Sequence, residues 1–107
     1  MFTPMERTVK EKDFSVCLLY DIYAPLISEK KRTVFELSFW EDMSLSEIAE
    51  HTGTTRQGVR ELIKRTLDEL ESLESLMHLK ELKDKLSTIA EATKDKDTAE
   101  KIKSLLA

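Results

Sequence analysis

Glycine and proline are scarce, two of each in 107 residues, which leaves little material for the tight turns that an all-β chain needs. The expected fold class is therefore all-α. Cysteine occurs once, as Cys17, so an intrachain disulfide is excluded and a metal site is not expected. Cys17 lies in an apolar run with Val16, Leu18 and Leu19 and reads as a buried, inert thiol. No apolar stretch approaches the ~20 residues required to cross a bilayer. The charges at Glu6, Arg7, Lys10, Glu11, Lys12 and Asp13 follow no secretory apolar core. A cytoplasmic protein without membrane insertion is the expectation. Glycine-rich phosphate loops, nucleophile elbows and zinc-ligand spacings are also missing. His51 and His78 stand alone and read as surface or boundary residues. The acid pairs Glu47 with Glu50 and Glu41 with Asp42 are explained by capping and solubility. Neither an enzyme nor a cofactor is expected.

What the chain does have is 36% charged and 40% hydrophobic residues, the balance of a soluble, helix-rich domain. Residues 1–11 read as a polar lead-in. From about Lys12 to Ala24, Phe14, Cys17, Leu18, Ile22 and, less strictly, Tyr20 and Tyr23 suit one helix. Pro25 should end or kink it. Ser28 is a good cap for a second helix reaching about Trp40 with Val34, Phe35 and Leu37. Phe35, Phe39 and Trp40 are expected in the core. Glu41 to Met43 form a polar break.

The segment from Ser44 to Thr66 has the spacing of a helix-turn-helix. Gly53 suits a sharp turn at positive φ. Four residues earlier, Ala49 is small enough for a second helix to cross closely. Leu45 and Ile48 before the turn, and Val59 with Leu62 or Ile63 after it, supply the apolar faces. Ser44 with Glu47 forms a capping-box pattern and Thr55 can cap the second helix. The helices should span roughly 45–51 and 56–66.

No glycine or proline follows Gly58, and Leu67, Leu70, Leu73, Leu76 or Met77, Leu79, Leu82, Leu86 and Ile89 recur at spacings of three and four. One long helix, or two joined near His78, would carry that stripe. Residues 92–97 read as a linker, with Asp97 capping a last helix bearing Ala99, Ile102, Leu105 and Leu106. The leucines need cover. Either the C-terminal segments fold back over the first helix, or they pair with a second copy, and a homodimer is favoured because several wet leucines would forfeit several kcal/mol at ~25 cal/mol per Å².

Charge is unevenly placed on a chain of net charge −4. Residues 44–67 hold four basic and three acidic side chains, whereas the charged residues of 68–77 are four acids. Arg56, Gln57 and Arg60 fall near the start of the recognition helix, where base edges are read. Arginine matches guanine O6 and N7, and glutamine matches adenine N6 and N7. Thr54, Thr55, Lys64 and Arg65 suit phosphates. Nucleic-acid binding, DNA more than RNA, should be local and salt-sensitive. The same face could instead be a scaffold for protein contacts.

From about Leu19 to Leu73 the chain resembles the YlxM family, bacterial helix-turn-helix proteins associated with the signal recognition particle. The resemblance rests on Leu19-Tyr20, Tyr23-Ala24, Leu26, Glu36-Leu37, Asp42, Ser44-Leu45, Glu47-Ile48-Ala49-Glu50, Gly53, Arg56-Gln57, Val59 and Ile63-Lys64-Arg65-Thr66. It implies a fold similar to region 4 of bacterial sigma factors and a regulatory role in the particle's pathway. Gly58 stands where the family usually has alanine, a change worth about 1 kcal/mol of helix propensity. Arg60-Glu61 stands where it often has Tyr-Asp, and no similarity is seen beyond about Leu73. The expected organisation is a lead-in at 1–11, a helix-turn-helix domain at 12–73 with its motif at 44–66, and a C-terminal helical extension at 74–107. The alternative to a DNA-binding regulator is a non-enzymatic adaptor for the particle's RNA or GTPase.

Overall fold

The computed structural model describes the backbone of residues 14–107 and the side chains of 15–107. The expected lead-in at 1–11, the helix start near Lys12 and the Phe14 side chain lie outside the described residues. Among the described residues the chain is all-α: α1 (Phe14–Tyr23), a 3-10 turn (Ala24–Leu26), α2 (Glu29–Phe39), α3 (Leu45–Thr52), α4 (Arg56–Met77), α5 (Leu79–Ala92) and α6 (Lys96–Leu106).

Each junction has a local cause. Pro25 sits at the start of the 3-10 turn, where its missing amide costs nothing. The Ser28 hydroxyl accepts from the Lys31 amide at 3.4 Å and starts α2. After α2 the backbone closes through Met43 N to Leu37 O at 3.1 Å, with Asp42 left-handed at φ 57°. Asp95, not Asp97, caps α6: its carboxylate accepts from the Asp97 amide at 3.0 Å and from the Thr98 hydroxyl at 2.8 Å. Asp95 stands just before the helix and Asp97 is its second residue, and Thr98 favours the aspartate three residues before it. Asp97 lies in the first turn and pairs with Lys101 at 3.1 Å.

Two apolar clusters meet beneath α4. One joins Val34, Leu45, Ile48, Ala49, Val59 and Ile63, and the other Tyr20, Tyr23, Ile27, Phe35 and Leu70. Phe39 and Leu67 pack against both and bridge them. Phe35 is central, with its ring stacked on Tyr20 at 4.3 Å and on Phe39 at 4.2 Å.

Trp40 departs from its expected core position. It is 51% exposed and lays its edge-on contact against Tyr20 at 5.3 Å. Phe35 and Phe39, one turn apart, occupy the inward face, and Trp40 lies about 100° further round the helix. Cys17 is half-buried rather than buried. It belongs to the part of α1 where Val16 and Leu19 are also only partly covered, and full enclosure begins at Tyr20.

The leucine stripe is carried by two helices joined at His78, left-handed at φ 54°. The stripe does not stay buried: Leu70 is enclosed, Leu73 half-buried, and Leu76 and Met77 exposed. Beyond the reversal, α5 packs chiefly on α6 and meets α1 at its start, through Leu79. The fold-back over the first helix is thus limited to one end of the hairpin. Leu82 and Ile89 remain exposed.

Candidate nucleic-acid interface

The second helix of the motif is held by interactions local to the turn. The capping box at Ser44 is complete: the Glu47 amide donates to Ser44 Oγ at 3.1 Å, and the Ser44 amide to Glu47 Oε1 at 2.9 Å. α3 ends at Gly53 with φ 71°, and the Thr54 amide donates back to Ala49 O at 2.9 Å. No atom lies within 4 Å of where a Gly53 Cβ would sit, so it is conformation rather than crowding that favours glycine there. Ala49 is buried between the two helices' apolar faces, with Val59 and Ile63 across from it. Of the paired expectation Leu62 or Ile63, Ile63 is the buried residue and Leu62 the half-buried one.

The turn threonines have unequal freedom. Thr52 donates its hydroxyl proton to Ile48 O at 2.8 Å, so in the 2.9 Å contact between Thr52 and Thr54 the donor is Thr54. The Thr54 proton is therefore already engaged. Thr55 Oγ1 accepts from the Gly58 amide at 3.0 Å, which satisfies the start of α4 and leaves the hydroxyl proton available. A Cβ added at Gly58 would meet that oxygen at 3.2 Å, so glycine gives the cap room at a position poor in helix propensity.

From this anchored start, α4 presents Arg56 and Gln57 exposed and Arg60 half-buried, and the three together line a shallow depression. Lys64 and Arg65 are exposed one turn further on. None of Arg56, Arg60, Lys64 and Arg65 holds an ion pair among the described residues. All four charges are thus available to an anionic ligand. Among the described residues no cluster of histidine, cysteine and acidic side chains could hold a metal ion.

A second polar centre was invisible to sequence reading. The Tyr23 hydroxyl donates to Glu74 Oε1 at 2.6 Å, and the Leu79 amide donates to that hydroxyl at 3.2 Å. The Glu74 carboxylate also accepts the Lys80 and Glu81 amides, each at 3.0 Å. An acid from the end of α4 thereby caps α5. Burial pushes the Glu74 carboxyl up, but the bonds from Tyr23 and the two amides, with His78 nearby, outweigh it and hold it below its usual range. Burial first, then the bond to Glu74, pushes the Tyr23 hydroxyl up. His78 adds a contact from Nδ1 to Glu81 Oε2 at 3.0 Å. Tyr23 and Glu74 are 51 positions apart, and no local signal links them.

No helix of the described residues is long and apolar enough to cross a membrane. Comparison with known proteins places this geometry in context. Residues 10–106 match the model of the UPF0122 family, described as "Putative helix-turn-helix protein, YlxM / p13 like". The similarity therefore continues past Leu73, where motif residues alone showed it ending. A UPF0122 protein of Clostridium perfringens is 37% identical over 101 residues, covering 90% of each chain. One of Clostridium kluyveri is 49% identical over 55 residues, 51% of this chain and 50% of the relative. In Limosilactobacillus reuteri another is 41% identical over 69 residues, 64% of this chain and 61% of the relative. With the Clostridium kluyveri relative the match spans about half of that protein's length. Fold, motif and family model agree: this chain belongs to the UPF0122 family of YlxM / p13-like helix-turn-helix proteins.

Proposed function

We propose that this is a non-enzymatic, cytoplasmic regulatory protein that binds DNA through the first three turns of α4. The observation that carries the reading is the set of four unpaired cations on a helix whose start is fixed by the Gly53 turn and the Thr55 cap. Arg56, Gln57 and Arg60 would reach base edges, with Thr55, Lys64 and Arg65 on phosphates and Thr54 shaping the turn. DNA is favoured over RNA because the ~12 Å major groove of B-form DNA admits a helix, whereas the major groove of A-form RNA is deep and narrow. The binding unit would be residues 12–73, with 74–107 as a C-terminal helical extension. Exposed Leu82, Ile89 and Leu105 support a homodimer joined through that extension, whose two recognition helices would need to sit ~34 Å apart to read successive grooves.

The test is titration of labelled duplex DNA against salt. Wild type is expected to bind at about 50 mM salt and to weaken steeply by about 200 mM. Arg56→Ala and Arg60→Ala should each weaken binding and relax sequence preference, by about 1–3 kcal/mol at the base concerned. Lys64→Ala should weaken all sequences evenly and reduce the salt slope by about one unit. No salt-dependent binding of any duplex would end the reading. Dimerisation is checked by sedimentation, where a mass of 12.4 kDa at micromolar concentration, that of one chain, would count against it.

A second reading is favoured by the same apolar hairpin: an adaptor binding the RNA or GTPase of the signal recognition particle, the pathway with which the YlxM resemblance associates the chain. It predicts that one of the two co-purifies at native levels, and recovery of neither would remove it.

A further inference from the structure

Charge reverses sign midway along α4. Arg56, Arg60, Lys64 and Arg65 outweigh the single acid Glu61 in its first half, and Asp68, Glu69, Glu71 and Glu74 follow. Two of these acids are engaged elsewhere. Glu69 pairs with Lys31 at 3.0 Å, and Glu74 caps α5. Asp68 and Glu71 are exposed and hold no ion pair among the described residues.

The two unpaired acids share the face of the cations. Asp68 lies one turn beyond Lys64, and Glu71 lies within about 40° of Gln57 around the axis. Along the axis they sit about 6 and 10 Å past Lys64, the first within the Debye length of about 8 Å at physiological salt and the second just beyond it. A duplex lying lengthwise against α4 would carry its phosphates from the cations directly onto two carboxylates.

We propose that Asp68 and Glu71 determine how α4 meets duplex DNA, confining contact to the first three turns so that the helix enters a groove by its N-terminal end. The inference rests on the DNA-binding reading above. Repulsion of this kind opposes unspecific association, which is dominated by phosphate contacts, more than readout at Arg56, Gln57 and Arg60. The two acids thus act as specificity-determining residues by disfavouring the wrong binding mode. The tilt also keeps the α5–α6 hairpin away from the DNA backbone, because the joint at Glu74 lies on the excluded half.

The experiment compares three forms by the salt dependence of binding to mixed-sequence duplex DNA: wild type, Asp68→Lys with Glu71→Lys, and a matched charge control, Glu91→Lys with Glu100→Lys, at exposed sites on the hairpin. The Asp68/Glu71 pair is expected to steepen the slope of log affinity against log salt by about two phosphate contacts, roughly 1.8 units. That corresponds to about tenfold more affinity lost between about 50 and 200 mM salt. The protected length of DNA should grow with it. The control should leave both close to wild type. Asp68→Asn with Glu71→Gln, which adds no cation, should fall between the two. If wild type binds but the Asp68/Glu71 variants match the control, the inference fails and the DNA reading stands. If wild type binds no duplex, both fail.

Discussion

Residues 14–77 and residues 79–106 both carry apolar stripes in helical order, with aromatic rings in the first and aliphatic side chains alone in the second, yet they bury very different amounts of them. In the first region Leu70 is 1% exposed, with Phe35, Val59 and Ile48 at 0%. In the second Leu82 is 53% exposed and Leu105 82%, and the fully buried residue is Ala90. The difference lies in what stands opposite. α4 has α1, α2 and α3 on its inner side, so Leu62, Leu67, Leu70 and Leu73 meet apolar neighbours, while Leu76 at its end is bare. The hairpin helices have chiefly each other, and two helices enclose only a narrow seam. An apolar stripe therefore specifies a helix face, while the neighbours decide whether that face is a core or a surface.

Substitutions at four positions break or sharpen this contrast. The largest effect is expected for Phe35→Ala, which opens a hole between the two stacked rings and should lower unfolding free energy by about 3–5 kcal/mol in denaturant titration. A loss below about 1 kcal/mol would mean that the two clusters are not a single tightly packed core. Next comes Ala49→Leu, which overfills the crossing of α3 and α4. About 1–3 kcal/mol should be lost, and an unchanged melting temperature would show that the helices do not approach closely there.

A smaller effect is expected at the joint. Glu74→Ala removes the acceptor for Tyr23 and for two α5 amides, and about 0.5–2 kcal/mol should go with it, as for other helix caps. This contribution is also pH-dependent. The folded carboxyl lies below its ordinary value of 4.5, so its stabilisation is present above that pH and is lost as pH falls through the folded value. In acid melts, Glu74→Gln should lack this part of the pH dependence. The Tyr23 hydroxyl, raised above its ordinary value of 10.0, has the opposite sense. Its stabilisation is present below pH 10 and is lost as pH rises through the folded value. The smallest effect is expected for Leu105→Ala in the dissociated chain, within about 0.5 kcal/mol of wild type for an exposed side chain. At protein concentrations where the proposed homodimer forms, the loss should grow with concentration, and a loss that stays small at every concentration would count against a partner covering the hairpin at Leu105.

The helix-turn-helix was readable because its signals are short-range. Ser44 and Glu47 are three residues apart, as are Thr55 and Gly58, and Gly53 lies four after Ala49; each geometry follows from backbone conformation in one or two turns. The cationic run on α4 was readable for the same reason. Asp97 was mistaken for the cap because two aspartates fit the pattern, and it was the Thr98 hydroxyl that favoured Asp95. Trp40 was misplaced because periodicity alone does not show that Phe35 and Phe39 already fill the inward face. Thr54 and Thr55 look equivalent in sequence, but hydrogen-bond direction separates them.

The order of residues alone determined where helices start and stop, which face of each is apolar, and where positive charge gives way to negative along α4. Those properties depend on contacts within a few residues, whose geometry the helix fixes in advance. Only the tertiary structure decided that Tyr23 and Glu74 would form a joint, that the leucine stripe would be covered as far as Leu73 and bare at Leu76, and that Trp40 would face outward. Such outcomes depend on which surfaces meet across dozens of residues, where competition for a limited interior, rather than local preference, sets the result.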